Sequence, residues 1–534
     1  MTTKDKYLLA ALTVFVTSLL VYVLGSAPTV LYGDSAELQS AALLGGVAHS
    51  SGYPTYILLG QLFGWLAWGD PAHRITLMTS FFAALDLAIL VLFLRELGVS
   101  ARAALLGAAI YGLSYTFWAT SLRAEVYSVA LCLFLLALWC SVVAIRRGGT
   151  WRFALAAWLL GLSVTGHLIY AVPVAVLGFV LARRLYDEKE RSLGRLGLFL
   201  ACFLLGLTPY LYLVWVDSHH YVFDYLRLAG LAENPDAPPG TFDSPWKRVA
   251  WLIYSQDTYP PREFQLALKP MLRSGLNAVG VMFFFELGPL AAPFVVVGFL
   301  RHLRRDRTIA WLIAAIAAAS LLFTSVVVPE VKMAPIFAMP CVLSLAVWLS
   351  MGLEQTLIGV KSATRFSHGL LTGLIMVTPI LLPLSAHGLR SHAARHPISG
   401  LAIRLEDESR YEKTTFIPWL RDFWEPRRFG EAVLAAVPPD AVVIARFQQI
   451  TTLRYLRYVE GQRPDLSFWP VNPPTLLVRL SRWQRDHAVE RHPVVLVGDI
   501  PELQPYLPPL DTLRMGEWPT LFVARKPLRG LPGT

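Results

Sequence analysis

Apolar runs of about 20 residues, separated by short clusters of arginine and lysine, recur through the first 390 positions of this chain. A helix needs that length to cross the hydrocarbon core of a bilayer. The pattern predicts eleven spans, near 7–26, 75–94, 103–120, 126–145, 153–166, 168–182, 196–215, 276–300, 309–327, 335–353 and 369–386. The first run follows Lys4 and Lys6 and has the look of a secretory leader. Its apolar core is long for one, and Gly25-Ser26-Ala27 before Pro28 is a poor cleavage site, so it is read as an uncleaved span. Tyr53–Trp68 is also apolar. Counting it as a span would put most of the later basic clusters outside, so it is read as a helix lying in the outer interface with Trp65 and Trp68 at headgroup level.

The pattern changes near residue 387, after which the chain is polar and proline-rich. Short β-branched runs at 441–445, 494–497 and 521–524 predict buried strands, and 428–437, 448–458 and 474–488 read as helices. The chain therefore divides into a membrane domain, 1–386, and a small α/β domain, 387–534. Within the first, 27–74 is an outer loop with interfacial helices and 217–275 is a long outer loop.

Charge orients this layout. With the amino terminus in the cytoplasm, the inside loops hold Lys4, Lys6, Arg95, Arg102, Arg146, Arg147, Arg152, Arg183, Arg184, Lys189, Arg191, Arg195, Arg301, Arg304, Arg305, Arg307, Lys361 and Arg365. The short outside loops hold only Arg74, Arg123 and Lys332, as the positive-inside rule requires. An odd number of spans then places the C-terminal domain outside. Composition agrees: 55% of the 534 residues are hydrophobic and 16% charged, with mean hydropathy +0.50. The net charge of +10 is accounted for by the loops and gives no reason to invoke nucleic acid. The four cysteines, at 132, 140, 202 and 341, sit in apolar runs without metal or redox spacing.

Against this apolar background, Gly33-Asp34-Ser35-Ala36-Glu37 and Ala48-His49-Ser50-Ser51-Gly52-Tyr53-Pro54 place two carboxylates, a histidine and a tyrosine just outside the first span. Ionisable groups at the mouth of a bundle are costly to hold there and mark a candidate site. Local sequence offers Asp34 and Glu37 a second role, as a helix capping box. Arg123-Ala124-Glu125-Val126-Tyr127 lies at another outer turn, His167 ends Gly161–Gly166, and Lys332 is one of the few outside cations close to a span. Each has a plain alternative: a mutual ion pair for Arg123 and Glu125, packing for His167, snorkelling for Lys332. No phosphate-cradling glycine loop, zinc spacing or nucleophile elbow occurs. An activated substrate would then come from the membrane.

The layout resembles the GT-C superfamily of polytopic glycosyltransferases. The two motifs around Asp34 and His49 are similar to a pattern that marks a family whose animal members are transmembrane protein O-mannosyltransferases. Glu125-Val126-Tyr127, Gly161-Leu162-Ser163 with His167, Gly206-Leu207-Thr208-Pro209-Tyr210 and Glu460–Asp465 match further. The chain departs at Ala36, at Ser50-Ser51, at Gly166, and at Arg446-Phe447, where the pattern has Gly-Asp. The resemblance implies a polyprenyl-phosphate sugar donor, a hydroxyl acceptor on protein or glycan, a surrounding of membrane lipids and no cofactor. The carboxylates would accept a divalent ion, but their spacing demands none. It also implies catalysis by Asp34 and Glu37, with His49, Tyr53, Arg123, Glu125, Tyr127, His167 and Lys332 binding substrate, in a bacterial inner membrane. The sugar and the acceptor are not named by any residue. A lipid or solute transporter and a non-catalytic assembly subunit are the other classes considered. The transporter reading lacks an inverted repeat and paired broken spans.

Overall fold

The computed structural model describes residues 2–187, 193–219, 221–230, 237, 239–254, 279–280, 282–327, 334–360, 373–395 and 417–531. Lys332 lies outside the described residues, as does part of the 217–275 loop. The described chain is mostly helical, with one five-stranded sheet near its C-terminal end.

Among the described residues six helices are long and apolar enough to cross a membrane: Thr3–Gly25 (α1), Pro71–Glu96, Tyr127–Arg147, Leu168–Asp187, Arg307–Ser325 and Met339–Val360. A seventh span is available if Leu193–Gly206 and Tyr210–Ser218, bent by 42°, count as one. The predicted 103–120 run is two helices, Ala101–Gly112 and Tyr115–Ser121, interrupted at Leu113 and Ser114. The expected interfacial segment is a helix of 11 residues, Pro54–Gly64. At 1.5 Å per residue that is roughly 16 Å, about half a hydrocarbon core.

The bundle has distinguishable ends. At one, Glu96 pairs with Arg146 and Arg147, Asp306 pairs with Arg146 at 2.8 Å, and Arg305 donates to the carbonyl of Gly98. These are the basic clusters assigned inside. At the other end sit the Asp34 and His49 segments and the sheet domain.

The domain boundary expected at 387 falls within a helix, Thr378–Arg395. The sheet has order β2-β1-β3-β5-β4, where β1 is Val442–Ala445, β2 Ser467–Pro470, β3 Val494–Val497, β4 Asp511–Met515 and β5 Trp518–Ala524. β1 pairs in parallel with β2 and β3, whereas β5 is antiparallel to both of its neighbours. β1 and β3 are buried along their whole length, as expected of parallel strands covered on both faces. Val443 and Ala445 point to one core, Val442 and Ile444 to the other. Helices Glu425–Ala436 and Phe447–Tyr458 cover the first face, and Pro473–Asp486 covers the second. The carboxyl end of β1 leads into helix Phe447–Tyr458, which packs against helix Gly33–Leu44 of the first domain.

The first face is not closed within the domain. Val30, Ala36 and Ala72, from the loop after the first span, complete its core. An ionic cluster binds the same junction. Arg427 pairs with Asp70 at 3.2 Å and with Glu460, and its Nε donates to the Thr29 hydroxyl at 2.7 Å. Asp70 at the same time caps helix Pro71–Glu96 by accepting from the backbone of Ala72 and His73.

Candidate active site

The two sequence motifs meet through helix Gly33–Leu44 (α2). Gly33 opens it with φ of 58°, a conformation suited to glycine. The chain turns back after Gly45, also at positive φ, and Val47 pairs with Asp224 in a short bridge. His49 is thereby returned alongside the first turn of α2.

The capping box does not form. Tyr32 is the N-cap and makes no side-chain cap bond. The Glu37 carboxylate turns instead to His49: Oε2 accepts from the His49 backbone N–H at 3.1 Å and makes a short contact with Nδ1. Glu37 is buried, with 2% of its side chain exposed, while Asp34 is 45% exposed. The other ring nitrogen, Nε2, lies 3.9 Å from Asp34 Oδ2 and 3.1 Å from the Tyr53 hydroxyl. Tyr53 donates to the Ser50 carbonyl at 2.5 Å and so is itself fixed. A buried acceptor on Nδ1 sets the tautomer and aims Nε2 at the open side.

The remaining candidates extend this cluster. Ser35 donates to Glu125 at 3.3 Å. Burial, and then the charge of Asp34, push the Glu125 carboxyl up to about 7, although Arg123, the Ser35 bond and His49 act in the opposite direction. Arg123 donates to the carbonyl of Ala119 and stays close enough to Glu125 to act on it. Tyr53, His167 and Tyr127 form a row of rings with centroids 5.2 and 5.3 Å apart. His167 accepts from the backbone of Ile169 at 3.1 Å, and burial pushes it down to about 3, so it is neutral. Asp34, Glu37, His49, Tyr53, Arg123, Glu125, Tyr127 and His167 are thus one constellation. Among the described residues no group of three or more His, Cys, Asp or Glu side chains is placed to hold a metal ion.

Three contributors escaped the sequence reading. Phe447, which opens helix Phe447–Tyr458 after β1, and Tyr225, which opens the short helix Tyr225–Leu228, face the His49 ring at 6.1 and 6.2 Å. Arg454, buried in helix Phe447–Tyr458, feels the charge of Glu37. The departure from the family pattern at Arg446-Phe447 was the one local signal for the first of these.

A helical bundle with a carboxylate–histidine cluster at one mouth, roofed by a small mixed sheet, defines a GT-C-like polytopic fold. The whole chain follows the crystal structure of ArnT from Cupriavidus metallidurans bound to undecaprenyl phosphate, with TM-score 0.52, 13% identity and coverage of 98% and 99% of the two chains. The same protein in its apo state gives TM-score 0.50 at 14% identity, over 96% of this chain and 97% of the other. The particular resemblance is to the protein O-mannosyl-transferase TMEM260 family, whose N-terminal domain model matches residues 34–190. The mouse protein O-mannosyl-transferase TMEM260 is 26% identical over 449 residues. That alignment takes in 82% of this chain and 58% of the mouse protein, so the chain spans less than two thirds of its relative. The matched region contains every candidate named from the sequence except Lys332.

Proposed function

We propose that this chain is a membrane glycosyltransferase that moves a hexose from a polyprenyl-phosphate donor to an acceptor hydroxyl on the extracytoplasmic side. The carrying observation is the half-exposed Asp34 beside the His49–Glu37 pair, inside the region that matches the O-mannosyl-transferase domain. In this reading the membrane domain has eleven spans, an amino terminus in the cytoplasm and an outer domain in the periplasm. The separation of the basic clusters from the acidic site supports that orientation.

Asp34 accepts the acceptor's proton as its oxygen attacks the anomeric carbon. The bond from that carbon to the phosphate oxygen breaks, and its electron pair leaves with the polyprenyl phosphate. A single displacement inverts the sugar. The leaving group is already a stabilised anion, so the base and positioning supply the catalysis. Glu37 is too buried to meet the acceptor and orients His49. His49, with Nε2 3.9 Å from Asp34 Oδ2, holds the edge of the site beside the base. Arg123 and Lys332 offset the phosphate charge, and Tyr53, Tyr127 and His167 line the donor pocket. The animal relatives favour mannose as the sugar.

The test is turnover by purified protein in nanodiscs, offered a panel of radiolabelled polyprenyl-phosphate hexoses with an envelope extract as acceptor. One donor should be consumed, and Asp34→Asn should lower the rate about 100-fold or more without changing Tm. An Asp34→Asn protein with full activity removes Asp34 from the scheme. Failure to bind any donor, together with proton-coupled solute uptake, would make the chain a transporter.

A further inference from the structure

The sheet domain meets the site along one helix, Phe447–Tyr458, which packs against α2. Thr452 fixes it there, because its buried hydroxyl donates to the Leu31 carbonyl at 2.7 Å. Gln448 stands one turn earlier on the same face. Its carboxamide fills the space that a side chain at Gly33 would need: a Cβ there would come 2.8 Å from Gln448 Cδ and 3.2 Å from Nε2. Gly33, with φ of 58°, is the residue before Asp34. The glycine therefore turns the chain into α2 and also lets an amide lie against the backbone that carries Asp34.

The Gln448 side chain is exposed, and among the described residues its carboxamide has no hydrogen-bond partner. It keeps both donors and an acceptor to offer. Next to it, the Phe447 ring faces His49 at 6.1 Å, and His49 Nε2 lies 3.9 Å from Asp34 Oδ2. The bundle reaches the same histidine through Tyr53, with His167 and then Tyr127 behind that ring. Asp34 and His49 thus have one wall from the bundle and another, a ring and an amide, from the sheet domain.

In the proposed reaction two substrates meet at Asp34, and only the acceptor gives up a proton there. A general base works within hydrogen-bond reach of the hydroxyl it deprotonates. The donor's lipid lies in the membrane, so the donor takes the bundle wall and the sheet domain is left for the acceptor. We propose that Phe447 and Gln448 form the acceptor subsite. Gln448 hydrogen-bonds the uncharged polar group that neighbours the acceptor hydroxyl, and Phe447 packs on the apolar surface beside it. This deepens the glycosyltransferase reading and rests on it.

The experiment compares full-length wild type, Gln448→Ala, Phe447→Ala and, as a surface control in β4, Arg514→Met, all in nanodiscs. The donor is the radiolabelled polyprenyl-phosphate hexose that wild type consumes, and the acceptor is envelope extract titrated by mass. The half-saturating amount of extract should rise about fivefold in Gln448→Ala, the loss of one neutral hydrogen bond, and at least as far in Phe447→Ala. KM for the donor and Tm should keep their wild-type values, and Arg514→Met should match wild type in all three. A carboxamide that merely seats the helix on Gly33 would instead lower Tm or shift donor and extract alike, and either result overturns the inference. So does wild-type half-saturation in the two variants. If Phe447→Ala does not fold, Gln448→Ala, which alters an exposed side chain, decides alone. Wild type that consumes no donor overturns the glycosyltransferase reading and this one with it, whereas active wild type with unaltered variants overturns this one only.

Discussion

Glu37 and Glu125 are both buried carboxyls, yet their surroundings assign them different work. Glu37 is engaged by both the backbone N–H and the Nδ1 of His49. If it acts only through His49, the losses from Glu37→Gln and His49→Ala will not add. Each should cost about 10- to 100-fold in turnover and the double variant little more, and additive losses would separate the two roles. Glu125 has a hydroxyl and a like-charged neighbour, and is pushed up to about 7. The folded protein therefore holds a proton there that the unfolded chain releases near 4.5. Stability from this group is fully present below that value and is lost as pH rises toward 7. Glu125→Gln should leave Tm unchanged at pH 4 and raise it above pH 7, by no more than about 3 kcal/mol in stability. A difference independent of pH would show that the carboxyl ionises normally in the fold.

Helices explain motifs that carry no chemistry. Gly161 and Gly206 come from two separate stretches of family resemblance, and they face one another where Thr150–Gly166 crosses Leu193–Gly206. A Cβ on Gly161 would lie 2.8 Å from the Gly206 Cα. Small residues let two backbones approach this closely in a bilayer. Gly161→Val should cost about 1–3 kcal/mol by overpacking, read as a lower Tm of the protein in nanodiscs, with KM disturbed because His167 directly follows Thr150–Gly166. An unchanged Tm would mean that the helices part without penalty. The Glu460–Asp465 stretch is likewise structural. Arg463 bonds Asp465 at 2.8 Å and the carbonyls of Leu434, Val437 and Pro438, so it staples the end of a helix to the strand that follows.

For the whole molecule, the question is how firmly the sheet domain is seated. Its first face has no complete core without Val30, Ala36 and Ala72, and Arg427 spans the junction to Asp70. Arg427→Met would leave Asp70 and Glu460 facing each other without a cation. The site is partly open to solvent, so the loss should be about 2 kcal/mol, below that of a fully buried pair. Hydrogen exchange should rise across residues 425–460 and in α2 while helix Tyr127–Arg147 keeps its protection. Uniform exchange throughout would indicate global destabilisation instead. Because Phe447 and Arg454 belong to the domain so seated, turnover should fall with the loosened junction.

Much of this was readable from the chain itself. Apolar runs marked the long helices, of which six or seven among the described residues have the length and apolarity of a span where eleven were expected; β-branched runs marked β1, β3 and β5, and charge out of place marked Asp34, His49 and Glu125 as candidates. All are short-range signals, legible wherever burial imposes a period or a cost on neighbouring residues. Two strands were missed because four-residue Ser467–Pro470 has no period to show and Asp511–Met515 lies at an exposed edge. Local pattern favoured a cap for Glu37, since a helix start and the spacing Asp34–Glu37 satisfy that rule. Only the return of the chain through the Val47–Asp224 bridge offered it His49. Phe447, Arg454 and Tyr225 come to the His49 segment from more than 170 residues further along the chain, brought there by the helix that follows β1, a shared core and the Val47–Asp224 bridge. Sequence thus determined which residues are costly and where the elements lie, while tertiary packing decided which partners meet that cost.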